Sequence, residues 1–96
     1  MNFVDLKHSL EKVFQSIKAT TDEGSLPSLE DATQFAKLAQ MLLLQAKEQW
    51  AGEAEDFAHL AAQLLSTVKK GHAEDAVLLV ESLDDAKDYC HRSVQE

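Results

Sequence analysis

From Leu29 to Trp50, apolar residues recur every three or four positions: Leu29, Ala32, Phe35, Ala36, Ala39, Leu42, Leu43, Ala46 and Trp50. At about 100° per residue, that spacing gathers them on one side of an α-helix. The same stretch also carries Leu38, Met41 and Leu44, which fall roughly 100° or more from the centre of the stripe. A helix apolar over so much of its circumference needs cover on two sides. The chain must therefore pack several helices round this one, or bring a second molecule to it.

Three more amphipathic segments supply the helices. Phe3, Leu6, Leu10, Val13, Phe14 and Ile17 trace a first stripe, predicting a helix over 2–19. It stops in the run Thr20 to Pro27, where Gly24 tolerates a positive φ and Pro27 removes a backbone donor and restricts Leu26. Ser28 followed by Asp31 forms a short-armed capping box, so the second helix starts at Leu29 with Glu30 and Asp31 at its positive end. Its C-terminal end is placed at Trp50-Ala51-Gly52-Glu53, on the strength of one glycine. An unbroken helix over 28–70 would run about 64 Å at 1.5 Å per residue, which only a dimer or an array could cover. The third helix buries Ala54, Phe57, Ala58, Ala61, Leu64, Leu65 and Val68 and ends at Lys69-Lys70-Gly71, cations and glycine being the usual C-terminal signature. The fourth, over 72–94, carries Ala73, Ala76, Leu79, Val80, Leu83, Ala86, Cys90 and Val94 inward, with Val77 and Leu78 outside the stripe. No stretch alternates like a strand. The expected architecture is an all-α, antiparallel, up-down-up-down four-helix bundle forming a single domain over 1–96. A pair of repeat-type helical hairpins is the alternative, although no constant internal period is present.

Charge and composition narrow the function. Seventeen acidic against nine basic residues give a formal charge of −8, which repels phosphate backbones and anionic membrane surfaces. With no Lys/Arg cluster, neither nucleic acid nor membrane is expected as a partner. The longest apolar runs, Met41 to Leu44 and Ala76 or Val77 to Val80, are far shorter than the roughly 20 residues of a membrane span. The N-terminal residues enter an amphipathic pattern at once, so no signal peptide is expected. One cysteine, Cys90, excludes an internal disulfide and every paired-cysteine metal or redox motif, and a cytoplasmic location follows as the expectation.

Chemistry is sparsely represented. Adjacent carboxylates such as Glu30-Asp31, Glu55-Asp56 and Asp84-Asp85 split across a helix surface instead of converging. There is no glycine-rich phosphate loop, nucleophile elbow or paired-histidine metalloprotease helix, so the expectation is no enzyme and no cofactor. His8, His59, Cys90 and His91, with Trp50, would share one end of the bundle. Their helical phases diverge, whereas zinc ligands must converge to about 2.0–2.3 Å from one ion, so no metal site is expected. Ala58-His59-Leu60 resembles the opening of the histidine phosphotransfer family, four-helix bundles that use a solvent-facing histidine. The resemblance implies a signalling domain with His59 as phosphoacceptor. Where that family carries a lysine and a small glycine, this chain has Ala62 and Gln63, and Glu55 and Asp56 one turn earlier repel phosphate.

The surplus apolar surface points elsewhere. Leu38, Met41 and Leu44 form a second side on the second helix, while Leu78 and Tyr89 lie nearly in phase on the fourth. Large exposed apolar patches mark binding surfaces, so the sequence suggests a protein-interaction or self-association module acting through these residues on a protein partner or in a homodimer. A central position for the second helix, or a 20–28 segment folding Leu26 over Met41, would hide the same side within one chain.

Overall fold

The computed structural model describes the backbone of residues 3–94; the side chains of Phe3, Trp50 and residues 86–94 lie outside the described set. Four helices follow in order: α1 (Phe3–Asp22), α2 (Leu29–Gln45), α3 (Ala51–Lys70) and α4 (Ala73–Val94), with a single 3₁₀ turn at Glu48–Trp50. There is no strand among the described residues. Contacts run α1 to α2, α2 to α3, α3 to α4 and α4 back to α1, so the helices close a ring with α2 and α4 on one diagonal. This is the antiparallel four-helix bundle that the apolar spacing predicts. Its extents are 35 × 23 × 18 Å.

The helix ends follow local chemistry. Ser28 has extended backbone angles, and its Oγ accepts from the Asp31 N–H at 3.1 Å, which caps α2 as expected. Asp31, one methylene shorter than the glutamate of a full capping box, instead accepts from Ser16 Oγ at 2.9 Å through Oδ2, tying α2 to α1. After α3, Gly71 adopts φ 77°, its N–H donates to Val68 O at 3.1 Å and the His72 N–H donates to Thr67 O at 3.2 Å. That pair of bonds is a Schellman closure, which only a residue at ease with positive φ allows. Gly24, at φ 78°, repeats it through Gly24 N–H to Thr21 O and Ser25 N–H to Thr20 O. The first helix consequently runs three residues beyond the expected Ala19. Thr20 and Thr21 are accommodated because their hydroxyls donate back to Ser16 O and Lys18 O, at 3.0 Å each.

Three phenylalanines set the centre of the core, one from each of the first three helices. The Phe35 ring stacks on Phe14 with centroids 5.6 Å apart and meets Phe57 edge-on at 5.4 Å. Round them lie Leu6, Leu10 and Ile17 of α1, Leu64 and Val68 of α3, and Ala76, Val80 and Leu83 of α4. The buried side chains of α2 and α3 include Ala32, Ala39, Ala54, Ala58 and Ala61, small enough to let helix backbones approach, and the two helices pack on one another. Lys18 Nζ to Asp84 Oδ2, at 3.1 Å, links α1 to α4.

Two expectations about α2 need correction. The helix does not run to the glycine: it ends at Gln45, five residues before Trp50, and Gly52 sits inside the first turn of α3. A helical glycine costs only about 1 kcal/mol, so its presence did not dictate a break. Leu38, placed on the second side, is a core residue with 6% exposure. Because α2 packs against both α1 and α3, its buried arc turns toward Leu38, and Leu29, assigned to the stripe, is left 51% exposed in the first turn.

Candidate functional site

The last turn of α2 reads Met41-Leu42-Leu43-Leu44. Four consecutive residues at 100° each sweep most of the way round a helix, so no single neighbour can bury them all. Met41, Leu42 and Leu43 pack partly against the core and remain half-buried, while Leu44 is 84% exposed. Immediately afterwards the chain leaves helical geometry. Ala46 (φ −66°, ψ 135°) and Lys47 (φ −80°, ψ 157°) are extended, and the Ala46 N–H donates to Leu43 O at 3.1 Å. The following residues lead into α3, and Leu44 on that last turn stays in water. Gln40, Gln45, Lys47, Glu48 and Gln49 are exposed around it, a polar rim to an apolar centre.

The other residues proposed for recognition are not gathered here. Leu78 is 61% exposed, but it lies in the second turn of α4, at the end of the bundle where α3 hands over to α4, and α2 and α4 share no contact among the described residues. The Tyr89 side chain lies outside the described residues. Leu26 packs against the core at the α1 to α2 connection, at the other end of α2 from Met41. Of the expected set, Leu44 stands in water while Met41 is partly buried against the core, as are Leu42 and Leu43 of the expected stripe. The four-residue apolar run was the sequence signal for this, since its length is incompatible with one buried stripe.

The histidines do not converge. His8 is exposed on α1, among Asp5, Ser9, Glu11, Lys12 and Gln15 in a shallow depression of that helix alone. His59 is exposed on α3, and the Gln63 amide nitrogen stands 3.1 Å from its Nε2, able to donate when the ring proton is on Nδ1. His72 sits in the α3 to α4 turn with Nδ1 3.6 Å from Asp75 Oδ2. Among the described residues no three His, Cys, Asp or Glu side chains are grouped to hold a metal ion; Cys90 and His91 lie outside them. A second depression, lined by Leu29, Glu30, Thr33, Gln34 and Lys37, is likewise built from one helix and cannot enclose a small molecule. No described helix is long and apolar enough to cross a membrane. No protein-family model matches the chain, and no curated protein or solved structure matches it.

Proposed function

We propose that this chain is a small acidic cytoplasmic protein that works by binding, recognising a protein surface or a second copy of itself through the C-terminal turn of α2. The observation that carries the reading is Leu44, 84% exposed at the C-terminal end of an apolar run whose other members are half-buried. An exposed leucine alone would be unremarkable; four adjoining apolar residues at one helix end, rimmed by polar side chains, form the kind of patch that binding covers. The acidic charge favours a protein over nucleic acid or an anionic membrane, and the lone cysteine favours a reducing compartment. Binding, and not catalysis, is favoured because the ionisable side chains are dispersed over the outer faces of the helices.

Sedimentation velocity over a range of concentrations tests the self-association form. Leu44→Glu places a charge where the side chain is already in water, so the fold stays intact while association at this turn is lost. Leu78→Glu, at the far end of the bundle, leaves association unchanged. A parent chain that sediments as a monomer throughout, or a Leu44→Glu variant that associates like the parent, overturns the assignment of this turn to self-association.

A second reading rests on the solvent-facing position of His59 on α3. It makes the protein a phosphotransfer domain with His59 as acceptor. Acid-labile phosphate on the parent and none on His59→Gln, after incubation with a histidine kinase or a phosphorylated response regulator, is its required result. Gln63 beside the ring and Glu55 and Asp56 one turn before it place this reading second.

A further inference from the structure

The reversal between α2 and α3 is made from residues that have no local reason to reverse. The other two connections contain Gly24 and Gly71 at positive φ, and Pro27 follows the first of them. Between α2 and α3 the chain reads Gln45-Ala46-Lys47-Glu48-Gln49-Trp50-Ala51, with neither glycine nor proline. Alanine, lysine, glutamate and glutamine are among the best helix formers. Only Ala46 and Lys47 separate the end of α2 from the 3₁₀ turn, and both take extended angles. The bend is therefore held by the packing of α2 on α3, against the preference of the segment itself.

The apolar spacing also ignores the bend. Ala32, Phe35, Ala39, Leu42, Ala46, Trp50, Ala54, Phe57, Ala61, Leu64 and Val68 follow one another in steps of three or four straight through it. In a helix continuous across 46–50, the inner faces of α2 and α3 would fall within about 60° of each other at 100° per residue. Those are the two faces that meet where α2 packs on α3. Their complementarity is unaltered when the two come from different copies of the chain.

We propose that residues 46–50 are a hinge that straightens, fusing α2 and α3 into one helix, and that two such chains exchange halves. In the resulting dimer, α1 and α2 of one copy pack on α3 and α4 of the other, and each of two lobes repeats the bundle. The fused helix over 29–70 spans about 63 Å at 1.5 Å per residue, well beyond the 35 Å length of the single bundle, so one chain alone cannot cover it. A second copy supplies the missing half by construction, which is why exchange of identical elements is a low-cost route to dimers. The inference rests on the self-association reading for the existence of a dimer, and on the hinge for its form.

Lys47→Pro separates the two states. Proline fits the observed φ of −80° at Lys47, and the extended Ala46 before it is the conformation that a following proline favours. In a continuous helix the same residue removes a hydrogen bond and clashes with the preceding turn, weakening each fused helix about 100-fold and a dimer containing two of them about 10,000-fold. The experiment uses the full chain, by sedimentation velocity from micromolar to millimolar concentration. A distance measurement accompanies it, on Gln34 and Gln63 labelled through cysteines in a Cys90→Ser chain diluted into excess unlabelled protein. These exposed positions stand at similar heights on antiparallel α2 and α3 in the bundle, and about 43 Å apart along a fused helix.

The expected result is a concentration-dependent dimer with the long intrachain distance, and a Lys47→Pro variant of parental helicity that remains monomeric. A dimer that keeps the short intrachain distance, or one that persists in Lys47→Pro, overturns the exchange and leaves side-by-side association standing. A parent monomeric at every concentration overturns both.

Discussion

Phe35 is the side chain on which three helices converge, and removing it should unfold a large part of the stability at once. It is fully buried, its ring stacks on Phe14 of α1, and it meets Phe57 of α3 edge-on. Truncation of a buried phenylalanine to alanine costs about 3–5 kcal/mol, comprising lost transfer free energy and the cavity left behind. Here the upper half of that range is expected, because the two aromatic contacts are each worth about 0.5–1.5 kcal/mol beyond burial. A domain of this size has about 5–14 kcal/mol of stability in all, so Phe35→Ala should lower the thermal midpoint by roughly 15–30 °C or prevent folding at ambient temperature. Phe35→Leu keeps most of the volume and loses the ring geometry, with an expected cost of about 1–3 kcal/mol. Urea unfolding followed by far-ultraviolet dichroism measures both, with the slope against denaturant checked for constancy. Pairing Phe35→Leu with Phe14→Leu should fall short of additivity by about 0.5–1.5 kcal/mol, since each change removes the same contact. A Phe35→Ala variant that loses less than about 1 kcal/mol at unchanged slope would refute the placement of this ring at the centre.

Smaller changes should sort by backbone geometry and exposure, all measurable by the same denaturant titration. Gly52→Ala should stabilise by about 0.5–1 kcal/mol, because the residue is helical and an added Cβ meets nothing within 4 Å, whereas Gly71→Ala should destabilise by about 1 kcal/mol through its φ of 77°. Ser28→Ala should cost about 1 kcal/mol by leaving the Asp31 N–H without its cap. A double-mutant cycle on Lys18 and Asp84 should return no more than about 0.5 kcal/mol, diminishing in added salt, since both side chains are a third or more exposed.

Where local chemistry and tertiary packing agreed, the sequence was a sufficient guide. Ser28 with Asp31 marked the start of α2, and Lys69-Lys70-Gly71 marked the end of α3, because caps and positive φ are decided by neighbours in the chain. Leu6, Leu10, Val13, Phe14 and Ile17 of α1, and Ala54, Phe57, Ala58, Ala61, Leu64 and Val68 of α3, followed from three- and four-residue spacing alone. Leu29 and Leu38 were misplaced for one reason. The helix has two packing partners, and a single stripe centred toward Leu29 and Ala36 lies away from the arc that α1 and α3 together enclose. Exposure at the end of α2 was legible in kind, since Leu44 lies far off the stripe. Its extent was not, because which of four consecutive apolar residues stay in water depends on where the chain leaves the helix.

That departure point is where the two levels of structure disagree, and both proposals gather there. Straightening 46–50 would restore up to about five backbone hydrogen bonds per chain, each worth about 0.5–1.5 kcal/mol net, and would satisfy the preference of five good or fair helix formers. What opposes it is proximity. A hinge of a few residues holds α3 against its own α2 at an effective concentration on the order of millimolar or above, so an intrachain bundle wins in dilute solution although it bends the segment. In the proposed exchange the balance is set by concentration against helix propensity, two terms of opposite sign. A glycine or proline at Ala46 or Lys47 would have removed the conflict at no cost to the core, as Gly24 and Gly71 do at the other two connections. If the exchange takes place, its absence is what lets the conformation of the α2 to α3 turn depend on how many copies of the chain are present.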